Sequence, residues 1–544
     1  MNHDRRTILK AAACSVGAAL IPGCTTTRRE HAFDLVVHGG LVVDGNGTLP
    51  RRVDVGVSDR RIAYLGVIDR ERARRAIDAT GLVVAPGFVD MHSHSDRSIL
   101  SCPTADSRVM QGYTCEITGN CGGSAAPTAP DSKRKFPRVR DYLAAVAEAR
   151  PSIHQALLIG HGTLRENRIG AVDRELTATE LADVSREFEQ ALDDGAFGLS
   201  SGLEYVPGIY TPPQELIALA KIVARRRRMY ASHMRSEDAR LVEAVDEALT
   251  LARESGARVQ ISHLKSCGRA NWPKVDTVIR RIESAVQAGL DVRADVYPYT
   301  AYSTTLTILL EPWAREGETE DLMKRLRDPA ARARMRDEVI AHVANEPGGF
   351  DLIAIASELD GSAKGMSGKS VAEIAAFWRL EPIDAYLRLL EEERGSVSYV
   401  GHAMQESDVA RILAHPLTMI GSDGTVQPFD REGSVPHPRS FGTAPRVLGR
   451  FVRELRALDL QTAVRKLSSL PAERAQLVER GRIEPQFHAD LVVFDAATIA
   501  DRATFENPRQ APVGITHVIV AGETVVEHGR HTDARPGSVL TAMP

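Results

Sequence analysis

From residue 33 to residue 84 short apolar runs alternate with turn residues: Leu35-Val36-Val37, then Gly39-Gly40, Leu41-Val42-Val43, Asp44-Gly45, residues 53–57 and residues 62–65. This alternation, punctuated by glycine and aspartate, predicts strands joined by tight turns. The same texture returns at residues 489–494 and 518–526. The two chain ends are therefore expected to pair into one small β-sandwich domain, residues 33–85 with 478–540.

Between those ends the pattern becomes helix, glycine, strand, repeated. Thr177 and Glu180 form a capping box ahead of Leu181, Val184, Phe188 and Leu192 at helical spacing; Gly195 stops that helix and residues 196–200 read as a strand. Leu241, Val242, Val245, Leu249 and Ala252 precede Gly256 and a strand at 259–262, and Val278, Ile279, Ile282 and Val286 precede Gly289 and a strand at 290–296. Such alternation predicts βαβ units and a parallel sheet. Strands ending in polar residues fall at 83–90, 113–118, 156–159, 196–200, 229–232, 259–262, 290–296 and 417–421. Eight of them suit an α/β fold, a closed (β/α)8 TIM-like barrel over residues 86–470, whose chemistry gathers at the C-terminal strand ends. The charged, helical stretch 311–398 reads as an insertion before the last strand, placed to act as a lid.

A chain of 544 residues, 43% of them hydrophobic, has room for a large barrel with a companion and a sizeable core, which excludes disorder as the default. The net charge is only −4 and the two signs are mixed along the chain, so no electrostatic stripe points to nucleic acid. A small-molecule substrate is expected instead. Residues 1–24 read as a processing segment: Arg5-Arg6, Ile8-Leu9-Lys10 and an apolar run at 11–21 too short to span a bilayer. The arginine pair resembles a twin-arginine export signal and Ile21-Pro22-Gly23-Cys24 resembles a lipobox, so export to the periplasm or cell envelope is expected, with either a lipid anchor at Cys24 or cleavage nearby and a soluble periplasmic product. Cys102, Cys115, Cys121 and Cys267 are too scattered for a disulfide framework, which leaves cysteine available as a metal ligand.

The candidate chemistry sits at the strand ends. His92 and His94 are two apart, and alternate strand residues share a face, so both imidazoles can meet one metal. Cys121 lies in Gly119-Asn120-Cys121-Gly122-Gly123 just past the second strand, where glycine permits a turn that aims the sulfur inward. His233 and His263 each follow a serine at the close of successive strands. Asp423, in Gly421-Ser422-Asp423-Gly424, can ligate a metal, act as general base and acid, or cap a helix. Glu116, inside the second strand, is a rival carboxylate ligand.

In this order, His92-x-His94, Gly-Asn-Cys121-Gly, His233, His263 and Ser-Asp423-Gly, the chain resembles the amidohydrolase superfamily and within it the D-aminoacylase (N-acyl-D-amino-acid deacylase) family. The Gly-Asn-Cys-Gly element is the distinguishing part. Many binuclear relatives bridge their metals with a carboxylated lysine after the fourth strand, whereas no lysine occurs here between Lys135 and Lys221. Cys121 is then the natural bridging or tight-site ligand. The resemblance implies a tight Zn²⁺ on Cys121, His233 and His263, and a second, weaker site on His92, His94 and a shared Cys121; mixed sulfur and nitrogen ligation suits zinc. It also implies Asp423 as general base and acid, Tyr205 as oxyanion donor, and Lys265 with Arg439 as a clamp on the substrate α-carboxylate. Tyr297 and Ser303 are expected to line the pocket. Residues 304–310 carry no basic side chain for a second clamp, so neutral or apolar D-residues are expected. The implied reaction is hydrolysis of the linear amide of an N-acyl-D-amino acid. A D-specific dipeptidase and a cyclic-amide hydrolase are the alternatives within the superfamily, and a non-catalytic envelope binding protein is the alternative outside it.

Overall fold

The computed structural model describes residues 31–129, 133 and 136–542. Arg5, Arg6 and Cys24 lie outside the described residues.

The chain is a mixed α/β protein with several sheets. Its centre is a run of parallel strands: β1 (Phe88–Asp90), β2 (Tyr113–Thr118), β3 (His154–Leu157, continued by Ile159–Gly160), β4 (Gly198–Gly202), β5 (Met229–His233), β6 (Arg258–Ile261), β7 (Val292–Val296) and β8 (Thr418–Ile420). Each pairs with the next in parallel register, β1 with β2 through to β7 with β8. Beyond β8 the order returns to its start: Met91 N donates to Ile420 O at 3.4 Å, and Ser93 bridges Gly424 in parallel. The helices between the strands bury one stripe each. Ala178–Asp193 starts at the Thr177/Glu180 capping box and buries Val184, Phe188, Ala191 and Leu192, while Leu241–Ser255 ends at Gly256 in the left-handed conformation. Those stripes pack with Leu199, Tyr230 and Val259 in the main core.

The strand expected at 83–90 is two strands. Val83–Pro86 joins a seven-stranded sheet beside Leu491–Phe494 and Leu41–Val42, and only Phe88–Asp90 enters the parallel run. The break is at Gly87, where an added Cβ would stand 2.3 Å from the Thr114 side chain, so the backbone passes β2 there only without one. The seven-stranded sheet combines N-terminal strands with Leu491–Phe494, Ile515–Val520 and Glu523–Glu527. A four-stranded sheet of Phe33–His38, Asp54–Ser58, Arg61–Gly66 and Ala73–Asp78 shares a core with it through Leu35, Val55, Val84, Leu491 and Ile519. The tail then leaves that sheet and lies along β3, where Gln155 N donates to Ser538 O at 3.0 Å.

Between β7 and β8 the segment around 311–398 carries the helices Thr319–Arg327, Pro329–Asn345, Val371–Trp378 and Pro382–Glu392, packed round a core of their own. It also carries an antiparallel sheet unforeseen in the sequence. Ser398–Gly401 sits between Tyr302–Thr305 and Ile353–Ile355, so the segment is fastened at both ends.

Candidate metal centre

His92 stands two residues past β1, Cys121 three past β2, His233 at the last position of β5, His263 two past β6 and Asp423 three past β8. Cys121, His263 and Asp423 have φ of 51°, 34° and 52°. Residues with a Cβ seldom adopt this left-handed region, and each such case costs roughly 1–3 kcal/mol that the surroundings must offset. The surroundings do so with specific bonds. Asp423 N donates to His92 O at 2.8 Å, and His263 N donates to Asp295 Oδ1 at 2.8 Å. Beside Cys121, the Gly122 N–H donates to Ser200 Oγ at 3.1 Å. The Cys121 carbonyl lies so near Gly202 that a Cβ there would meet it at 2.2 Å.

These turns bring together residues far apart in the chain. Cys121 Sγ is 3.2 Å from His92 Nε2 and 3.3 Å from His263 Nε2, and His263 Nε2 is 2.9 Å from His233 Nδ1. Asp423 Oδ1 is 2.9 Å from His94 Nε2 and 3.5 Å from His92 Nε2. Donor atoms of His92, Cys121, His263 and Asp423 all lie within 4.8 Å of one another, and a second such group, His233, Glu237 and His263, shares His263 with the first. His94 engages the Cys121 sulfur as well as Asp423, and His233 engages that sulfur too. One thiol, imidazole nitrogens and a carboxylate are a donor set that fits a borderline-soft divalent ion such as zinc.

Three carboxylates orient the imidazoles, and none of them was singled out from the sequence. Asp295 Oδ1 lies 3.2 Å from His92 Nδ1, leaving Nε2 turned to the sulfur, and its Oδ2 accepts from Gln260 at 2.8 Å. Glu237 Oε1 lies 2.8 Å from His263 Nδ1, and Glu204 Oε2 lies 3.0 Å from His233 Nε2. Such partners fix the ring orientation of metal-ligating histidines. Asp295 had a usable signal, a buried acidic residue near the end of an apolar strand. Glu204, next to Tyr205, and Glu237, in the loop after β5, follow no pattern that periodicity detects.

The charges are strongly coupled. Burial opposes ionisation of Cys121, yet His92 and His263 hold its thiol well below the usual range. Asp423 is likewise held well below the usual carboxylate range against burial, by Arg439 first and then His263 and His92. In return His92 is held protonated, against burial, by Cys121 and Asp295. His94 is pushed up to about 9, chiefly by its bond to Asp423, and His233 to about 10, chiefly by Glu237, in both cases against burial. The same negative field that retains these protons attracts a cation to the nitrogen lone pairs.

Beside the cluster is a cavity of about 630 Å³. Tyr205, Lys265, Ser303, Asp423 and Arg439 all line it. Burial pushes the Tyr205 phenol well above its usual pKa, so it stays a donor, and its oxygen accepts from Thr304 at 3.2 Å. Lys265 Nζ contacts Glu237 Oε2 at 2.5 Å, His263 Nδ1 at 2.8 Å and His263 O at 3.1 Å. Arg439 pairs with Asp423 Oδ2 at 2.7 Å and donates to Ser303 O at 3.1 Å. Tyr297 stands behind the wall rather than on it: its buried ring backs Lys265 and Arg439, whose charges sit 5.6 and 5.1 Å from its centre. Glu116 is placed away from the donors, bound to Arg108 Nε at 2.6 Å and Gln155 Nε2 at 3.1 Å.

A thiol, imidazoles and a carboxylate converging at parallel strand ends, beside a cavity that offers a phenol and two cations, have the layout of a metal-assisted hydrolase. The profile of the amidohydrolase family matches residues 75–526. The N-acyl-D-glutamate deacylase of Alcaligenes xylosoxydans xylosoxydans is 36% identical over 522 residues, 94% of this chain and 97% of that protein. The crystal structure of N-acyl-D-glutamate deacylase from Bordetella bronchiseptica, complexed with zinc and a phosphonate mimic of the tetrahedral intermediate, is 36% identical with a TM-score of 0.81. That match covers 94% of this chain and 100% of the other. A D-aminoacylase structure, described in terms of a binuclear metal centre with one-metal activation and second-metal attenuation, is 34% identical over the same shares with a TM-score of 0.80. The chain belongs to the amidohydrolase family and, within it, to the D-aminoacylase group of N-acyl-D-amino-acid deacylases.

Proposed function

We propose that this protein is a zinc-dependent hydrolase of N-acyl-D-amino acids, releasing a D-amino acid and a carboxylate. The observation that carries the reading is the convergence of Cys121, His92, His263 and Asp423, with His233 adjoining, on one point beside the cavity. The continuous parallel pairing from β1 to β8 and back supports a closed (β/α)8 barrel over residues 86–470. The core shared by the four- and seven-stranded sheets supports a β sandwich built from residues 33–85 and 478–540. Residues 311–398 act as the lid, since Glu311, Pro312, Arg315, His342 and Glu346 of that segment line the cavity.

Bound to these donors, zinc supplies a Lewis acid that lowers the pKa of water to around 7 and polarises a carbonyl. Cys121, His233 and His263 hold the tighter ion, and His92 with His94 and a shared Cys121 hold the weaker one. Asp423 takes the proton of the attacking water on its carboxylate. It then delivers that proton to the amide nitrogen, because an amide does not readily expel an unprotonated amine. The Tyr205 hydroxyl donates to the carbonyl oxygen as negative charge develops there. Lys265 and Arg439, backed by Tyr297 and flanked by Ser303, present positive charge to the substrate α-carboxylate. The apolar side chains of Ile308 and Leu310 on the wall favour an uncharged stretch of substrate.

The test is a chiral panel. Zinc-loaded protein is expected to release amine from N-acetyl-D-amino acids faster than from the L-enantiomers. Equal rates on both hands reject the D-selective assignment while leaving the amidohydrolase class standing. The sequence also supports twin-arginine export to the envelope with a lipid anchor at Cys24; fractionation of wild-type and Cys24→Ala chains checks it, since only the first is expected in the membrane pellet.

A further inference from the structure

The lid segment brings one buried carboxyl group to the cavity that no described residue engages fully. Glu346 follows directly on the helix Pro329–Asn345, is only 6% exposed and lines the cavity. Among the described residues its Oε1 has no hydrogen-bond partner within bonding geometry, and its Oε2 lies 3.8 Å from His342 Nε2. Against the larger upward push of burial, His342 and the Tyr302 hydroxyl both interact with the carboxyl and pull its pKa down. Of the other acids on the wall, Glu204 faces His233, Glu237 faces Lys265, Asp423 faces Arg439, Asp238 accepts from Ser236 and Asn345, Asp96 accepts from Ala125 N, and Glu311 is exposed to solvent. Of the wall cations, Arg235 is held by both oxygens of Glu247, and His342, at 3.8 Å, reaches only one oxygen of Glu346. Leaving a buried acceptor unmade is costly, and a substrate donor would remove that cost.

The position of Glu346 says which part of a substrate reaches it. An added Cβ on Gly268 would stand 2.3 Å from Asn345 O, so the Glu346 segment abuts the loop that begins at Lys265. Lys265 is assigned above to the α-carboxylate, and the next groups along that wall meet the side chain of the D-residue. Ile308 and Leu310 line the same cavity and offer apolar surface to an aliphatic stem. Burial pushes the Glu346 carboxyl above its usual pKa, and an arriving cation opposes that shift.

We propose that Glu346 selects substrates whose D-residue carries an aliphatic stem ending in a cationic, N–H-donating group, of the D-lysine or D-arginine kind. The proposal rests on the N-acyl-D-amino-acid hydrolase reading and refines the expectation of neutral or apolar D-residues: the stem is apolar and the tip is not.

The test compares kcat/KM of zinc-loaded protein for Nα-acetyl-D-lysine and N-acetyl-D-norleucine, which share a stem and differ in the ammonium. The wild type is expected to prefer the lysine compound ~10-fold or more, and Glu346→Gln and Glu346→Met to bring that ratio to one or below. A wild-type ratio of one or less, or a preference that survives in both variants, overturns the proposal. A second pair, β-alanyl-D-leucine against N-butanoyl-D-leucine, moves the ammonium to the acyl half. A Glu346-dependent preference in this pair alone overturns the side-chain assignment. Failure of the parent reading is distinct, since no compound of either pair would then be hydrolysed.

Discussion

Arg108 and Cys121 each anchor a cluster of buried charge on the same strands, one on the short helix before β2 and one just beyond it. Around Arg108 the guanidinium bonds Asp90, Glu116 and the Ser422 hydroxyl, and Gln155 takes the remaining oxygen of Glu116. Each anion there is answered by a cation fixed in the chain, and no member of the cluster lines the cavity. Around Cys121 the anions face Arg439 and Lys265 but also imidazoles, which exchange a proton for a metal at the same lone pair, and three members stand on strained backbone. Buried charge alone therefore does not mark a reactive site. What marks it is charge answered by groups that are themselves ligands, beside an open cavity.

The comparison breaks most visibly at Asp423. Asp423→Asn is expected to lower kcat/KM by about 10²–10⁴-fold while zinc content, measured by atomic absorption, is retained. In the other cluster the damage falls on stability. Arg108→Met strands Asp90 and Glu116 without a counter-charge and is expected to cost about 3–5 kcal/mol in denaturant unfolding. An unchanged unfolding midpoint would make the Arg108 cluster dispensable.

Smaller changes sharpen the contrast. Asp295→Asn and Glu237→Gln loosen imidazole orientation while leaving Cys121, His233 and His263 in place, so zinc affinity in a competing-chelator titration is expected to fall roughly 10–100-fold. The smallest effect concerns Asp490, which resembles the Arg108 cluster: Arg480 and His154 hold its carboxyl below the usual range, against burial. A depressed carboxylate pKa means that the folded chain binds fewer protons than the unfolded one as pH falls through about 4. The stabilisation is thus present above that pH and lost below it. Acid unfolding of Asp490→Asn is expected to show a shallower pH dependence than wild type.

Much of this was legible in the chain itself. All eight strands were visible as apolar runs with polar ends, because parallel strands buried on both faces read as continuous hydrophobic segments. His92, Cys121, His233, His263 and Asp423 were visible because each closes such a run. The split at Gly87 was hidden, since both of its strands are apolar and only a close approach to Thr114 separates them. Glu116 looked like a ligand because sequence gives its strand and face but not its partner, Arg108. Glu204, Glu237 and Glu346 were hidden for a related reason: they lie in loops or just past a helix, where no period tells which surface acid is folded inward. The antiparallel sheet within 302–401 depends on pairing across the whole insertion, which local pattern does not encode.

The central claim is that Cys121 and its neighbouring histidines form one ligand sphere. X-ray absorption at the zinc edge of the purified protein reads that sphere directly. The expected spectrum has a sulfur scatterer at about 2.3 Å with nitrogen and oxygen at about 2.0–2.1 Å, and the sulfur shell disappears in Cys121→Ser. A wild-type zinc shell of nitrogen and oxygen alone would contradict the account.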